Sequence, residues 1–446
     1  MNKRTIYTLP KGSKITGSVV ARLIKAHSYD RDTFTKLESY VDDNPMISRE
    51  PPNELLTINN FANYITNINT GYLIGNPVDY NSKDNTNIDL IIQHYADQSM
   101  YELDADLETD CSMFGQAFEN VFLDEASTVT SAKLSVYNTI VVYDNTFKHD
   151  KMFAIYYSPM LDDKGAVLPD RYDLTIWDDT TITQATLYKE NLTETEVTEH
   201  YIGEVPVVHY MNNKRLKGDY EPVISLIDAY NILQSDRVID REKLVDAILA
   251  FYGTKLTAED QKAIKDNRVA GLPEGAKAEY IVKQVNEADA DVLRNTIAAD
   301  IHKFSMTPDL TDETFGNNPS GVSILYKLLA FEQNIKSKER QFSAALKDRF
   351  RMYATAMVKK SLMTAIDASR VDVVFSHSLP KNDMETSQMI NNLEGLVSQE
   401  TLIGQLSFVF DASAEMEKVA SEQDAKLKTD GFGTNLFTKT PASSGV

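Results

Sequence analysis

Ile58, Phe61, Ile65, Ile68 and Tyr72 recur at spacings of three and four, the apolar stripe of an amphipathic helix, and Gly75-Asn76-Pro77 marks its end. The pattern changes between residues 117 and 211. Ala117–Phe122, Lys133–Tyr143, Met152–Tyr157, Tyr172–Trp177, Thr181–Tyr188 and Val205–Tyr210 are short runs rich in β-branched and aromatic residues, separated by Asp, Asn, Gly and Pro. Such runs predict an antiparallel, meander-like region.

From Gly218 onward the pattern turns helical. Asp219 is a candidate N-cap, Pro222 falls in the first turn, and no Gly or Pro follows until Gly253. The spacing predicts a helix of about 30 residues, near 45 Å long. Its middle, Gln234–Lys243, is mostly charged, and its end, Val245–Tyr252, is nearly all apolar. A short helix at Ala258–Lys265, a turn at Gly271–Gly275 and a strand at Ala278–Val285 are expected next. Glu287–Phe304 reads as a further helix, with Val292, Ile297 and Ile301 along one side. The stretch Thr307–Ser320 holds two prolines, one glycine and three acids, and a loop of that length in a compact protein is usually functional or disordered.

The longest periodic segment follows. Ile324, Leu325, Leu328, Leu329, Phe331, Ile335, Phe342, Leu346 and Phe350 keep helical spacing with no Gly after Gly321 until Gly395 and no Pro until Pro380. A helix from about 320 to 363 would be roughly 65 Å long, several times the mean globular helix. Rods of this length need partners, and side-by-side packing of identical chains is the economical supply. A strand at Val371–Phe375 and one or two helices over Met384–Leu406, with Gly395 and Gly404 as breaks, complete the ordered part. Residues 429–446 are expected to be disordered.

Charge narrows the function. The chain has 446 residues, 66 Asp and Glu against 45 Lys and Arg, and a formal net charge of -21. A static DNA binder usually presents a basic face, because phosphate neutralisation supplies most of its affinity. The composition argues against that class, though not against a protein that DNA slides past. The single cysteine, Cys111, excludes an internal disulfide, and no spaced Cys and His set suggests structural zinc. An intracellular protein is expected. No apolar stretch follows the basic start, and no run of about 18 apolar residues suits a membrane span.

Candidate chemistry is sparse. Glu102, Asp104, Asp106, Glu108 and Asp110 are five acids in nine residues, without the glycine that a calcium loop requires at its turn. On a helix Asp104 and Glu108 share one side and Asp106 and Asp110 another, the look of a solvated surface. Asp289 and Asp291 suit a helix start. Phosphate-binding P-loop, Gly-x-Ser-x-Gly and His-Glu-x-x-His motifs do not occur. Glu196 and His200, four apart, read as exposed contacts, and Cys111, between acids, as a buried inert thiol. Against the trend of the chain, Ser320–Lys360 carries nine basic residues and three acids. A solvated helix side explains most of these; Lys336, Lys338 and Arg340 are candidates for inter-subunit or transient phosphate contacts. A metal-dependent hydrolase using the acids at 102–110, and a capsid component without a channel, are the alternative functions.

Four segments, in order over about residues 60–380, resemble the portal or connector proteins of tailed bacteriophages, in particular the siphovirus type of Gram-positive hosts. They are Asn69-Thr-Gly-Tyr-Leu-Ile-Gly-Asn-Pro-Val-Asp-Tyr80; Gly218-Asp-Tyr-Glu-Pro-Val-Ile-Ser-Leu-Ile-Asp-Ala-Tyr-Asn231, the most specific; Pro308-Asp-Leu-Thr-Asp-Glu-Thr-Phe-Gly-Asn-Asn-Pro-Ser-Gly321; and Ser323-Ile-Leu-Tyr-Lys-Leu328 with Lys338-Glu-Arg340 downstream. The resemblance implies an α+β portal-type subunit: a mixed α/β wing at 1–220, a first stem helix at 221–253, an α/β clip at 254–285 and a second stem helix at 286–306. A channel loop at 307–319 would follow, then a long wing helix at 320–366, a wing strand at 367–382 and crown helices at 383–428. The channel loop would present Asp309, Leu310, Thr311, Asp312, Glu313, Thr314, Phe315, Gly316, Asn317 and Asn318, acidic and neutral and therefore no basic clamp. The resemblance further implies a ring, commonly of twelve copies, at the unique capsid vertex. Double-stranded DNA would pass through it without sequence specificity. The partners would be the terminase large subunit, a head-completion or adaptor protein, and the major capsid and scaffolding proteins, with assembly in the host cytoplasm and residence in the virion. No membrane, no cofactor and no catalysis of its own are expected.

Overall fold

The computed structural model describes Arg4, residues 6–47, 56–83, 88–244, 248–253, 274–281, 287–311, 321–377 and 383–406, and a few isolated positions beyond. The fold is mixed α+β. Its contacts divide the chain into a larger unit, residues 1–312 with 327–378, and a smaller one, 313–326 with 379–446.

In the larger unit a six-stranded sheet has the order β1-β5-β6-β7-β8-β9, where β1 is Tyr7–Leu9, β5 Thr139–Asp144, β6 Lys151–Leu161, β7 Val167–Trp177, β8 Thr181–Tyr188 and β9 Asn191–Glu199. β5 to β8 form an antiparallel meander as the sequence predicts; β9, where no strand is predicted, extends it antiparallel, β1 joins it in parallel, and the predicted runs 117–122 and 205–210 lie in a different sheet. The stretch Lys133–Tyr143 is two strands instead of one. β4, Val129–Leu134, belongs to a second sheet of order β10-β3-β4, with β3 at Gln116–Leu123 and β10 at Val207–Met211. Helix α1, Gly17–Val41, lies outside the sequence expectations; Thr16 caps it by accepting from the Val19 amide. Val20, Leu23 and Ile24 of α1 pack with Ile140, Phe153, Ile155 and Leu174 of the six-stranded sheet.

Helix α2, Phe61–Ile74, stops at Gly75 as predicted. It is followed by β2, Asp79–Ser82, which pairs antiparallel with β13, Val371–Val374, the strand expected near 371–375. Helices α3, Asp89–Asp97, and α4, Met100–Phe114, lead into β3. Gly115 closes α4 with φ +80°, and a side chain there would collide with the Leu216 carbonyl, so only glycine fits.

The predicted 30-residue helix after Gly218 is shorter. A single 3-10 turn at Glu221–Val223 precedes α5, Ile224–Leu244, and the apolar run beyond it is a strand, β11, Ile248–Tyr252. β11 pairs antiparallel with β12, Lys277–Ile281, overlapping the strand predicted at 278–285, whose residues 282–285 lie outside the described residues. The expected helix at 258–265 lies outside the described residues, apart from Lys262. Helix α6, Glu287–Ser305, matches its prediction and packs on α5. Helix α7, Gly321–Lys359, spans 39 residues, about 58 Å. It ends before 363 because the chain turns at Ser361, with φ 59°. Its buried side is Leu328, Phe331, Ile335, Phe342, Leu346, Phe350 and Tyr353. In the smaller unit, α8, Asp383–Leu393, and α9, Gln399–Ile403, break near Gly395 and Gly404 as expected. The tail at 429–446 lies outside the described residues.

Candidate functional site: the segment after the second stem-candidate helix and the charged anchors of the long helix

Helix α6 delivers the chain into the stretch expected to form the channel loop, and its last turn is tied down by side chains of α2. Met306 adopts φ 58°, which ends the helix. The Tyr64 hydroxyl donates to the Pro308 carbonyl at 2.9 Å and accepts from the Leu310 amide at 3.0 Å. Burial raises the Tyr64 pKa, so the phenol stays protonated and can do both. Asn69 donates to the Thr307 hydroxyl at 3.0 Å. The Thr307 carbonyl can only accept, so His302 Nδ1, 3.1 Å away, carries a proton. Its Nε2 lies 3.8 Å from the Asp309 carboxylate. The His302 ring is held edge-on by Phe61 and Tyr64. Asp309 accepts from the amide and hydroxyl of Thr311, closing a local turn. A cavity of about 370 Å³, lined by Phe61, Tyr64, Tyr230, His302, Asp309 and Thr311 among others, sits beside this segment.

Of the predicted loop residues, Asp309, Leu310 and Thr311 are therefore held in place; Asp312, Glu313, Thr314, Phe315, Gly316, Asn317 and Asn318 lie outside the described residues. Tyr64 and His302 were not singled out by sequence reasoning. Asn69 and Pro308 fall inside the recognisable segments, which is the signal that could have led to the rest.

The basic candidates on α7 divide. Lys336 and Arg340 are exposed. Lys338 is not available to phosphate: its ammonium is buried, 2.6 Å from both Glu108 and Asp219. Burial alone would lower its pKa, but the two carboxylates overcome that and raise it. Asp219 also accepts from Ser112 at 2.7 Å and from Asn212 at 2.8 Å. It is thus an ion-pair partner and not the expected helix cap. Three turns along α7, fully buried Arg349 reaches Glu119 at 2.9 Å and Asp104 at 2.6 Å. The Tyr210 hydroxyl donates to Glu119 at 2.6 Å, and the rings of Tyr95 and Tyr210 flank the guanidinium.

These pairs correct the solvated-surface expectation for the acids at 102–110. Glu102 and Asp106 are exposed, whereas Asp104 and Glu108 face inward and hold cations of α7. Asp110 pairs with Lys133 at 3.3 Å. Among the described residues no group of three or more His, Cys, Asp or Glu is placed to hold a metal. Glu196 and His200 do not share a helix: Glu196 is exposed on β9, and His200 is buried just beyond it. Cys111 is buried, and burial pushes its thiol pKa far up, as expected of an inert cysteine. Asp291 pairs with Arg237 of α5 at 2.9 Å, so it bridges helices as well as standing near a helix start.

The segment Gly218–Glu221 joins these elements. Gly218 lies so close to the Met113 carbonyl that any Cβ would clash. Asp219 meets Lys338, Tyr220 donates to the Leu37 carbonyl at 2.8 Å, and Glu221 pairs with buried Arg4 at 3.0 Å. A profile of the family described as Phage portal protein, SPP1 Gp6-like, matches residues 20–429. The chain belongs to that family. It is 22% identical over 400 residues to the portal protein of Bacillus phage SPP1, covering 81% of this chain and 75% of that protein. It is 21% identical over 446 residues to the portal protein of Clostridium phage phiCD119, covering 93% and 95%. Portal-family chains are structural, non-enzymatic virion components, which fits carboxylates committed to holding helices together. Among the described residues no helix is long and apolar enough to cross a membrane.

Proposed function

We propose that copies of this chain close into a ring, of twelve subunits by family precedent, at one vertex of the capsid, and that double-stranded DNA is packaged and ejected through its opening. The observation that carries this reading is the family match across residues 20–429. Two features support it. Helix α6 leaves Val292, Leu293 and Phe304 largely exposed, at 65%, 51% and 54%, apolar positions suited to a neighbouring copy. The acid excess suits a wall past which DNA moves, since phosphates are repelled and not held.

In this reading α5 and α6 form the stem, the β11–β12 ribbon belongs to the clip that meets the terminase large subunit and later the head-completion protein, and the loop 307–319 projects into the channel. Helices α8 and α9 form the crown, and the wing faces capsid and scaffolding proteins. Assembly takes place in the host cytoplasm. Lys336 and Arg340 remain candidates for transient phosphate or inter-subunit contact. Deleting residues 309–318 tests the loop: rings should still form and enter procapsids, while packaged DNA per particle drops. Unchanged DNA content would show that the loop does not act on the genome.

A further inference from the structure

The turn between β5 and β6, residues 145–150, carries Phe147 with its ring wholly in solvent, at 107% relative exposure. A lone exposed apolar side chain needs no explanation. This one is unusual in how firmly its turn is wired. Buried Asp144 accepts from the Thr146 amide and hydroxyl and from the Asp150 amide, at 3.1, 2.7 and 3.2 Å. The Asn145 amide reaches the Leu9 carbonyl at 3.0 Å, and the Asp144 amide the Asp150 carbonyl at 2.9 Å. A side chain presented on a pinned turn loses little freedom on binding, which is what an interface anchor requires.

A groove that suits such an anchor lies elsewhere on the same unit. It has a volume of about 510 Å³; nearly buried Val121, Trp177 and Pro206 form its floor, Leu123, Ile182 and exposed Tyr201 its apolar walls, and Asn120, Thr175, Gln184 and Thr198 its polar ones. Glu199 is the formally charged residue of its lining, and β9, which ends there, carries Glu194, Glu196 and Glu199 without a base. Phe147 is followed by exposed Lys148. The knob is thus apolar with Lys148 beside it, and the groove has an apolar floor, polar walls and Glu199 at its rim. Phe147 touches solvent and not its own groove, so the two can meet only between copies. A contact that joins different patches of identical chains is head-to-tail and closes into a ring when the rotation allows.

We infer that Phe147 of one copy inserts into the Trp177 groove of the next, with Lys148 facing the Glu199 rim. The inference rests on the ring reading above and adds the residues that hold neighbours together. The full chain contains one tryptophan, Trp177, which at 5% exposure forms the groove floor, so a phenyl ring seated on it would alter its emission by direct contact and not by loss of water. Sedimentation across a concentration series should show wild type assembling with a shift in Trp177 emission. Phe147→Ala should raise the concentration for half-assembly at least about tenfold and abolish the emission shift, with the monomer's melting temperature unchanged. Lys148→Glu should weaken assembly, and Glu199→Lys added to it should restore part of the loss. If Phe147→Ala assembles as wild type does, with the same emission shift, the knob is wrong while the ring stands. Failure of the charge pair to compensate would remove the Lys148–Glu199 contact. A wild-type chain that never assembles would overturn the ring itself.

Discussion

Lys338 and Arg349 occupy positions in the inward side of α7 where the spacing of Ile335, Phe342, Leu346 and Phe350 would accept apolar residues. Each faces two buried carboxylates, so each cluster carries one more negative than positive charge away from water. Removing a cation leaves both acids uncompensated. Lys338→Met should therefore cost about 3–5 kcal/mol in chemical denaturation, whereas replacing Lys338, Glu108 and Asp219 together by apolar residues of similar volume should recover most of that. The surplus charge has a pH signature. Burial pushes Glu108 up to about 7 and Asp104 up to about 6, against the pull of Lys338 and Arg349. An acid that binds its proton more tightly when folded contributes stability that is complete below its unfolded value and lost as pH rises through its folded value. Melting temperature should fall from about pH 4 toward pH 7, and Glu108→Gln should flatten part of that fall. An unflattened profile would mean that Glu108 is ionised throughout. None of this was legible from spacing. The one-sided placement of Asp104 and Glu108 on a helix was correctly read, but nothing local says which side faces inward when the partners are more than 100 residues away.

At the scale of elements, periodicity worked where one side alone is buried. α2, α7 and most of the meander follow their apolar spacing closely, whereas of the α6 stripe Ile301 is buried and Val292 is 65% exposed. It failed where the signal is short or diluted. The apolar run at the end of the predicted 221–253 helix reads as part of that helix, but a short apolar run suits a strand as well, and Ile248–Tyr252 pairs with Lys277–Ile281. β9 alternates Thr and Glu with little apolar content because it is the exposed edge of its sheet. In α1 the inward residues are regularly spaced, but His27 and Asp30 stand among them as buried polar positions, which blurs the stripe. The segment after α6 yields a prediction at this scale. Tyr64→Phe removes both hydrogen bonds to the Pro308–Leu310 segment and should speed hydrogen exchange at the Leu310 amide by about tenfold, with global stability reduced by only about 1 kcal/mol. If that amide already exchanges freely in wild type, the segment is not anchored as described.

For the molecule as a whole, the recognisable segments proved to be joints. Gly218–Glu221 ties α5 to α4, α1 and α7, and Asn69 ties α2 to the residue that follows α6. That is why order and spacing of a few motifs carried more than composition could. The long helix α7, expected from its length to need a neighbouring copy, covers its apolar side with its own chain; what remained hidden is what covers Val292, Leu293 and Phe304 of α6. The central claim is that another copy covers them. Imaging the purified full-length chain down its assembly axis tests it most directly: the account predicts closed rings with an opening wide enough for a DNA duplex, and a uniformly monomeric population across concentration and salt would contradict it.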